Sequence, residues 1–426
     1  MTSILEAARS NVVTPAIRAV ADEEEIDPLE LCQRIAEGSV VIMHRGEKCV
    51  GIGAGLRTKI NVNLGTSNVS VSPDEEVEKA LVAERYGADM ISDLSMGGDI
   101  PAIRAAVAGR TTLPLTTVPI YQAVAEHGLE DLTAEDILAT IRAQAEEGVS
   151  SLVVHCVNPH MIDLLKAQGR VMGVVSKGGS ITSSFMYLNQ CKNPFIEHFD
   201  EILAIAREHD IVLSLGNTAR SGCIHDPQDP VQMEEMRQNI ELARYAHHMG
   251  VQAIIEGAGG HIRFDRIREV IRSYKTHSSF PLFVAGPLPT DVAAGYDHVA
   301  GAVGASAASA AGADYLCYIT PAEHLSLPSP EHVKEGLIAF RIAAHIGDSV
   351  KRGAVGRDLE MARNRAEFNR GGQIACTFDP ERAQQIMETA GNEICTMCGD
   401  FCAIRLMKAI CGSGKSTECP DKSVRF

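Results

Sequence analysis

From about residue 59 onwards, short apolar runs alternate with longer segments whose apolar residues recur at helical spacing. The short runs have strand length and are rich in β-branched residues, and the longer segments have helix length. The predicted strands are residues 60–64, 90–94, 113–120, 151–156, 171–176, 211–215, 251–256, 282–285 and 315–319. Predicted helices between and after them include residues 73–86, 134–147, 231–249 and 329–344.

Repeated strand-then-helix units of this length predict a parallel sheet, and eight of them predict a closed barrel. There are nine strand candidates, so one must be a side strand or part of a loop. The predicted fold class is α/β, a (βα)8 TIM-type barrel over residues 59–345. Residues 1–58 form a small α/β region with a strand at 39–43, residues 346–390 a helical extension and residues 391–426 a cysteine-bearing tail.

Composition narrows the class of protein. The net charge is −16, with 39 Lys and Arg against 55 Asp and Glu, so no surface for a phosphate backbone is indicated and nucleic acid is not an expected partner. No apolar stretch is long enough to span a bilayer. Twelve cysteines and the lack of an export signal indicate a reducing cytoplasm.

Three of those cysteines lie close together in the tail, at C-x2-C-x3-C spacing: Cys395, Cys398 and Cys402. Three thiolates can hold three irons of a [4Fe–4S] cluster and leave the fourth iron open to a ligand. A structural zinc site would need a fourth ligand, which Cys411 or Cys419 would supply. Metal or cluster binding is the favoured interpretation, and unligated surface thiols are the alternative.

Polar residues or glycines follow nearly every predicted strand, at the end where a barrel builds its active site. Ordinary loop chemistry is the alternative, because Gly, Asn and Ser are common in turns. The candidates are Asn61, Asn63, Asp93, Ser95, Tyr121, His155, Ser176, Lys177, Gly178, Asn217, Arg220, Glu256, His261, Glu323 and His324.

Two of these groups indicate particular ligands. Ser176, Lys177 and the glycines after them offer backbone N–H groups beside a cation, which suits a phosphate. His261 and His324 are both loop histidines, and two imidazoles with water or substrate can hold a divalent metal. A solvated or hydrogen-bonded role is the alternative for each histidine.

Several long motifs resemble the thiamin pyrimidine synthase family. They are residues 51–67, Asp93-Leu-Ser-Met-Gly-Gly98, Thr117-Val-Pro-Ile-Tyr-Gln122, Gly286-Pro-Leu, Gly295-Tyr-Asp-His298 and Cys317-Tyr-Ile-Thr-Pro-Ala-Glu-His-Leu-Ser-Leu-Pro328. The resemblance covers residues 50–345 and resumes at the cysteine motif. It implies a non-classical radical S-adenosylmethionine enzyme with a (βα)8 barrel and a C-terminal cluster tail. The implied substrate is 5-aminoimidazole ribonucleotide, the implied electron donor is a flavodoxin or ferredoxin, and the implied assembly is a homodimer.

Carried over position by position, the resemblance assigns the [4Fe–4S] cluster to Cys395, Cys398 and Cys402. It assigns a second metal (zinc, iron or cobalt) to His261 and His324, and S-adenosylmethionine to the open iron. Glu256, Asn217 and Tyr121 are the expected catalytic residues. The expected substrate contacts are Asn63, Tyr121, His155, Ser176, Lys177, Gly178, Asn217, Arg220 and Glu256, together with two positions at which the chain departs from the family, Ser92 and Phe283.

Departures from the family pattern fall at or beside these expected contacts. Ser92, Lys177, Asn217 and Phe283 stand where the pattern has methionine, arginine, aspartate and tyrosine. Glu256-Gly-Ala-Gly-Gly-His261 has an extra residue and no proline, and the cluster motif is one residue shorter. Neutral drift would not concentrate substitutions there.

This concentration favours a paralogue that converts the same ribonucleotide to 5-hydroxybenzimidazole, the lower ligand of cobamides, under anaerobic conditions. The alternative is a divergent pyrimidine synthase that makes 4-amino-5-hydroxymethyl-2-methylpyrimidine phosphate for thiamin. A non-catalytic redox or metal-binding protein is a third hypothesis. It is less favoured because such a protein needs no pocket of polar residues.

Overall fold

The computed structural model describes residues 2–226, 229–389 and 397–411. The chain divides into two compact units, Met1–Ala354 and Val355–Phe426. The first unit opens with three helices and a hairpin: α1 (Ile4–Arg9), α2 (Pro15–Glu24), α3 (Pro28–Ala36), β1 (Val40–Arg45) and β2 (Lys48–Gly53). The helical pattern and one strand of this region were predicted, whereas the second strand of the antiparallel hairpin was not.

Eight parallel strands then close into a barrel, which confirms the predicted fold class. They are β3 (Lys59–Leu64), β4 (Met90–Asp93), β5 (Leu115–Thr117), β6 (Ser151–Val154), β7 (Val212–Leu215), β8 (Ala253–Glu256), β9 (Leu282–Ala285) and β10 (Tyr315–Cys317). The strands neighbour one another in chain order, and β10 pairs with β3 to complete the ring.

Helices surround the barrel after each strand. They are α4 (Pro73–Arg85), α5 (Ile100–Ala108), α6 (Pro119–His127), α7 (Ala134–Glu146), α8 (Pro159–Gln168), α9 (Lys177–Asn189), α10 (Pro194–Glu197), α11 (Phe199–Glu208), α12 (Pro230–His248), α13 (Phe264–His277), α14 (Asp297–Ala311) and α15 (Pro330–Lys351). Proline opens many of them, where its missing N–H costs nothing. The third predicted strand is shorter than expected for this reason, because Pro119 begins α6.

The ninth strand candidate, residues 171–176, is a loop between α8 and α9. Val171 is 75% exposed and Gly173 has a φ of +63°, so the apolar run neither faces the core nor keeps an extended backbone. Its backbone N–H groups at Val171 and Met172 donate to the carboxylate of Asp226 instead of to a neighbouring strand. The Ser176 loop therefore belongs to the long connection between β6 and β7.

The N-terminal hairpin closes the amino end of the barrel. Its apolar side chains pack in one cluster with residues near the starts of four barrel strands: Val41, Met43, Val50 and Ile52 against Met90, Val212, Ile254 and Tyr315. Gln252 also bonds both the N–H and the C=O of Ile42, at 2.9 and 3.3 Å. This end of the barrel is filled by side chains, so only the carboxyl end is available for a site.

The second unit is helical. Its elements are α16 (Gly356–Ala366), α17 (Arg370–Ala375), α18 (Pro380–Thr389), the 3₁₀ turn η1 (Gly399–Phe401) and α19 (Ala403–Cys411). A helical C-terminal part was predicted. No helix in the described ranges combines the length and the apolar character that a membrane crossing requires.

Candidate active site

The carboxyl ends of the barrel strands enclose a cavity of about 120 Å³, called here the barrel cavity. Every predicted substrate contact except Lys177 and Gly178 lines it. Those lining residues are Asn63, Ser92, Tyr121, His155, Ser176, Asn217, Arg220, Glu256 and Phe283. The walls are completed by Leu94, Val118, Val153, Ala285 and Cys317. The strand-end residues identified in the sequence thus come together in one place.

A larger cavity of about 720 Å³, called here the outer cavity, shares Asn63 and Leu94 with the barrel cavity. Loops after β3, β4 and β10 contribute most of its walls. Lys177 and Glu323 supply its charged groups. Two neighbouring spaces of different size can hold two ligands side by side.

The predicted phosphate loop lies at the N-terminus of α9. The Ser176 hydroxyl accepts a hydrogen bond from the N–H of Gly179 at 3.1 Å, which caps the helix. Lys177 lies with its Nζ atom 5.0 Å from the centre of the Tyr121 ring. Burial lowers the pKa of Lys177, and its cation stands beside the positive end of the helix dipole. The N–H groups of Gly179 and Ser180 are taken by Ser176, so what the loop offers an anion is the Lys177 cation and the positive end of the helix dipole.

His155 is packed between two glycines. A Cβ atom at Gly178 would lie 2.3 Å from the His155 ring, and one at Gly216 would lie 2.8 Å from it. Gly178 is thus required for packing, although it does not line the barrel cavity. Burial, followed by the charge of Arg220, lowers the pKa of His155 to about 3, so its imidazole is neutral at ordinary pH. Its Nδ1 atom has no hydrogen-bond partner in the described part of the chain.

Glu256 and Asn217 stand next to each other at the ends of β8 and β7. The Glu256 carboxylate accepts from the Ser214 hydroxyl at 2.8 Å and from the Asn217 backbone N–H at 3.4 Å. Burial raises the pKa of Glu256, which brings its proton affinity closer to neutral pH. A half-buried carboxylate of this kind is suited to accept a proton from a ligand.

Arg220 brings a positive charge to the same wall. Its guanidinium has no ion pair or hydrogen bond with any residue that the structure describes, although the side chain is partly buried. Most partly buried arginines are paired with a carboxylate. An unpaired guanidinium in a cavity is therefore available for a phosphate or a carboxylate of a ligand.

Cys317 is a cavity residue that had no assigned role in the sequence. Asn63 donates from Nδ2 to its sulfur at 3.0 Å, and burial raises the pKa of the Cys317 thiol to about 12. Asn61 links this pair to Ser92, donating to Asn63 at 2.7 Å and accepting from the Ser92 hydroxyl at 2.9 Å. These contacts hold one wall of the barrel cavity in a fixed arrangement.

His261 and His324 meet as predicted, with their Nε2 atoms 3.4 Å apart. The Nδ1 atom of His261 lies 2.7 Å from Asp291, and that of His324 lies 3.3 Å from Asp297. A ring whose Nδ1–H donates to a carboxylate presents a lone pair at Nε2, so two lone pairs face each other here. Two nitrogens on one tetrahedral zinc at about 2.0–2.1 Å are about 3.4 Å apart, so the pair fits a shared cation.

Other protein ligands for that cation are not evident. Among residues 2–226, 229–389 and 397–411, no group of three or more His, Cys, Asp or Glu side chains is arranged to hold a metal ion. Water or substrate would complete the coordination, as expected for an open site. Asp291 and Asp297 were not identified as partners of the histidines, although Asp297 lies in one of the quoted motifs.

The cysteine motif is only partly described. Cys395 and Cys419 lie outside the described residues. Cys398 precedes the 3₁₀ turn η1 and Cys402 follows it, and neither forms a disulfide with a cysteine that the structure describes. Cys398 is exposed and Cys402 is half-buried, so both thiols are free to act as ligands. The two thiols fit the donor chemistry of an iron–sulfur cluster.

Comparison with known proteins identifies the family. A model of the "Radical SAM ThiC family" matches residues 3–409. A protein named phosphomethylpyrimidine synthase from Syntrophus aciditrophicus is 44% identical over 420 residues, which is 95% of this chain and 98% of that protein. Proteins of the same name from Dehalococcoides mccartyi and Archaeoglobus fulgidus are 45% and 41% identical. These alignments cover 94% and 95% of this chain, and 96% and 98% of the respective relatives.

These matches bear on the two enzyme hypotheses among the three drawn from the sequence. The relatives carry the name of the pyrimidine synthase alternative, and none of those three is named as a benzimidazole synthase. Their names therefore favour the alternative, while identities of 41–45% leave room for a different product. What the match over residues 3–409 establishes is the family: this chain belongs to the radical SAM ThiC family.

Proposed function

We propose that this enzyme binds 5-aminoimidazole ribonucleotide in the barrel cavity and converts it to 5-hydroxybenzimidazole. Membership of the family implies an iron–sulfur cluster and S-adenosylmethionine. When bound, those two groups supply the radical that starts the reaction. Cys395, Cys398 and Cys402 would hold the cluster, and His261 and His324 would hold a divalent cation (zinc, iron or cobalt).

The unpaired polar groups of the cavity support binding of a phosphorylated, hydroxyl-bearing ligand. Arg220 and Lys177 provide cations for the phosphate, and Lys177 begins α9, whose dipole favours an anion at that end. His155 Nδ1 and Asn217 Oδ1 are buried and lack partners in the described ranges. A ligand that hydrogen-bonds to both would remove a desolvation cost of about 1–3 kcal/mol for each group.

The proposed product is supported by the location of the residues that differ from the family pattern. Ser92, Asn217 and Phe283 all line the barrel cavity, and Lys177 lines the outer cavity. Asn217 presents a neutral amide where the pyrimidine synthase pattern has a carboxylate. Phe283 has no hydroxyl and stacks on Tyr315 with ring centres 4.0 Å apart.

Each of these changes alters what the cavity offers to the reacting ligand. Lys177 is a point charge and lacks the bidentate geometry that arginine has toward phosphate. Loss of the carboxylate at position 217 leaves Glu256 as the acidic side chain that lines the barrel cavity. We infer that Glu256 accepts a proton from the ligand, while Asn217 and Tyr121 orient the ligand.

A second candidate is phosphomethylpyrimidine synthase activity on the same substrate, which would supply thiamin synthesis. The specific observation in its favour is the shared name of relatives that match nearly the whole chain. Both candidates use the same ribonucleotide, the same cofactors and an electron donor such as a flavodoxin or ferredoxin. Both are also compatible with a homodimer. Because the two candidates share all these properties, only the identity of the product distinguishes them.

Anaerobic reconstitution tests whether the chain performs radical chemistry on the ribonucleotide and which product it makes. The full chain is loaded with iron and sulfide and mixed with S-adenosylmethionine, a reductant and 5-aminoimidazole ribonucleotide. Release of 5′-deoxyadenosine that depends on the ribonucleotide is expected, and its absence would favour a redox or metal-binding protein instead. A product with the mass of hydroxybenzimidazole supports the proposal, and a phosphorylated hydroxymethylpyrimidine supports the second candidate.

A further inference from the structure

Glu235 is a buried carboxylate on α12 that none of the functional assignments includes. Its side chain is 1% exposed and lies against the loop that follows β7. Its two oxygens have separate partners. Oε1 accepts from the backbone N–H groups of Thr218 and Ala219, the latter at 3.0 Å, and Oε2 accepts from the side-chain amide of Asn217 at 2.6 Å.

This arrangement decides which way the Asn217 amide points. Burial raises the pKa of Glu235 to about 7, and above that pH the amide nitrogen must face the ionised carboxylate, because a flipped amide would set two acceptor oxygens against each other. The amide oxygen is consequently left over, and it is buried with no partner among the residues that the structure describes. Asn217 also lines the barrel cavity, so a bound ligand is the remaining source of a hydrogen bond for this oxygen.

We propose that Glu235 is a positioning residue that keeps the Asn217 amide oxygen free to accept a hydrogen bond from an N–H or O–H group of the ligand. The identity of that ligand rests on the proposed function. The contribution of Glu235 is indirect, since it does not line the cavity and acts through Asn217. It makes position 217 a neutral acceptor in this chain.

The substitution Glu235→Gln should invert this polarity without removing a hydrogen bond. The oxygen of the introduced amide can keep the two backbone N–H groups of Thr218 and Ala219, while its nitrogen replaces Oε2. Two donors would then face each other, so the Asn217 amide must flip and present its NH2 group to the ligand. The fold should tolerate this change, because the buried charge is removed and the hydrogen bonds are retained.

Isothermal titration of 5-aminoimidazole ribonucleotide into the full chain measures the consequence. We expect Glu235→Gln to weaken binding at least 10-fold, with a melting temperature within a few degrees of wild type. Glu234→Gln is the matched control, since this neighbour on α12 pairs with Arg237 at the surface. Its binding should equal that of wild type.

The double exchange Asn217→Asp with Glu235→Gln separates positioning from a structural role. The amide introduced at position 235 would donate to one oxygen of the new carboxylate, and the other oxygen would again accept from the ligand. We expect the double exchange to bind the ribonucleotide about 10-fold more tightly than Asn217→Asp alone, in which two carboxylates face each other, since one such hydrogen bond is worth about 1.4 kcal/mol. This rescue remains informative if Glu235→Gln alone is insoluble.

Two results would overturn the inference. One is wild-type affinity in Glu235→Gln, and the other is a folded double exchange that binds no more tightly than Asn217→Asp alone. Either result leaves the proposed function standing as long as the wild-type chain binds the ribonucleotide. A wild-type chain that does not bind the ribonucleotide at all contradicts the proposed function and the inference together.

Discussion

The two ends of the barrel differ in how they hold buried polar groups. At the amino end, Lys59 lies 2.6 Å from Glu24, and Arg57 lies 2.5 Å from Asp89. At the carboxyl end, Arg220 has no ion-pair partner in the described chain, and His155 and Asn217 each keep one unpaired atom. A buried charge that keeps its partner is tolerated by the fold and becomes costly when the partner is lost, whereas unpaired groups cost stability unless a ligand completes them.

This difference indicates that the amino end contributes to the stability of the fold and the carboxyl end to ligand binding. The amino end is also closed by the β1–β2 hairpin, and its charged residues line neither of the two cavities. Substitutions at the amino end should therefore change stability without changing ligand affinity. Substitutions at the carboxyl end should weaken ligand binding without lowering the stability of the fold.

The largest effect on stability is expected from Glu24→Ala. This change leaves the ammonium of Lys59 buried, with Arg57 and Arg352 as neighbouring positive charges. Breaking one partner of a buried pair costs about 3–5 kcal/mol, because the other charge remains uncompensated. Urea denaturation followed by circular dichroism measures the loss.

Glu23→Ala is the control for that experiment. Glu23 contacts the same Arg57 at 2.9 Å, but its side chain is 37% exposed, so the loss should stay below about 1 kcal/mol. Equal losses in Glu23→Ala and Glu24→Ala would contradict the contrast. Weakened ribonucleotide binding in Glu24→Ala would contradict it as well.

Arg220→Ala tests the opposite end. Removal of the unpaired guanidinium should weaken ribonucleotide binding by about 100-fold, the scale of a charge-assisted hydrogen bond to phosphate. The urea midpoint should not fall, because no ion pair within the described residues is lost. Titration calorimetry and denaturation of the same sample check both statements. A destabilised variant with wild-type affinity would show that Arg220 is structural.

Lys59 should make the stability of the wild type depend on alkaline pH. Burial lowers the pKa of this lysine to about 8 from its ordinary value of 10.5. The unfolded chain then binds more protons than the folded chain between these values, so the free energy of unfolding rises as pH increases from 8 to 10.5. The full gain is about 3 kcal/mol at about 1.36 kcal/mol per pKa unit.

Comparison with Lys59→Met isolates this contribution. The difference in unfolding free energy between wild type and Lys59→Met should shift in favour of wild type from about pH 8 to about pH 10. A constant difference over that range would show that the pKa of Lys59 is not lowered in the folded protein.

The smallest effect is expected from Asp291→Asn, which concerns the histidine pair. Asp291 holds Nδ1 of His261 at 2.7 Å, and loss of such a carboxylate typically lowers metal affinity about 10- to 100-fold. Competition with a zinc chelator measures this affinity without any assay of activity. His261→Ala should lose the metal altogether, and equal affinity in all three proteins would place the metal elsewhere.

The carboxyl end of the barrel was predictable because it depends on a local rule. Each strand can be recognised from its apolar run, and the residue that follows it must lie at the same rim as the others. Asn63, His155, Asn217 and Glu256 were found in this way, and the structure brings them together. The strand predicted at residues 171–176 was wrong. The apolar side chains of Val171 and Met172 are exposed, and the backbone N–H groups of these two residues donate to Asp226.

Glu235 shows why the remaining residues could not be found. On the sequence it is one charge among several on an amphipathic helix, and such charges usually face solvent. Its burial and its bond to Asn217 arise only when α12 packs against the end of β7. Asp291 and its contact with His261 are equally non-local, since the two residues lie 30 positions apart.

The phosphate content of the product is the measurement that tests the central claim most directly. The reconstituted wild-type chain is given 5-aminoimidazole ribonucleotide, and the product is identified by exact mass. The departures that line the cavities predict a phosphate-free product with the mass of 5-hydroxybenzimidazole. A product that retains phosphate and has the mass of hydroxymethylpyrimidine phosphate would contradict this account.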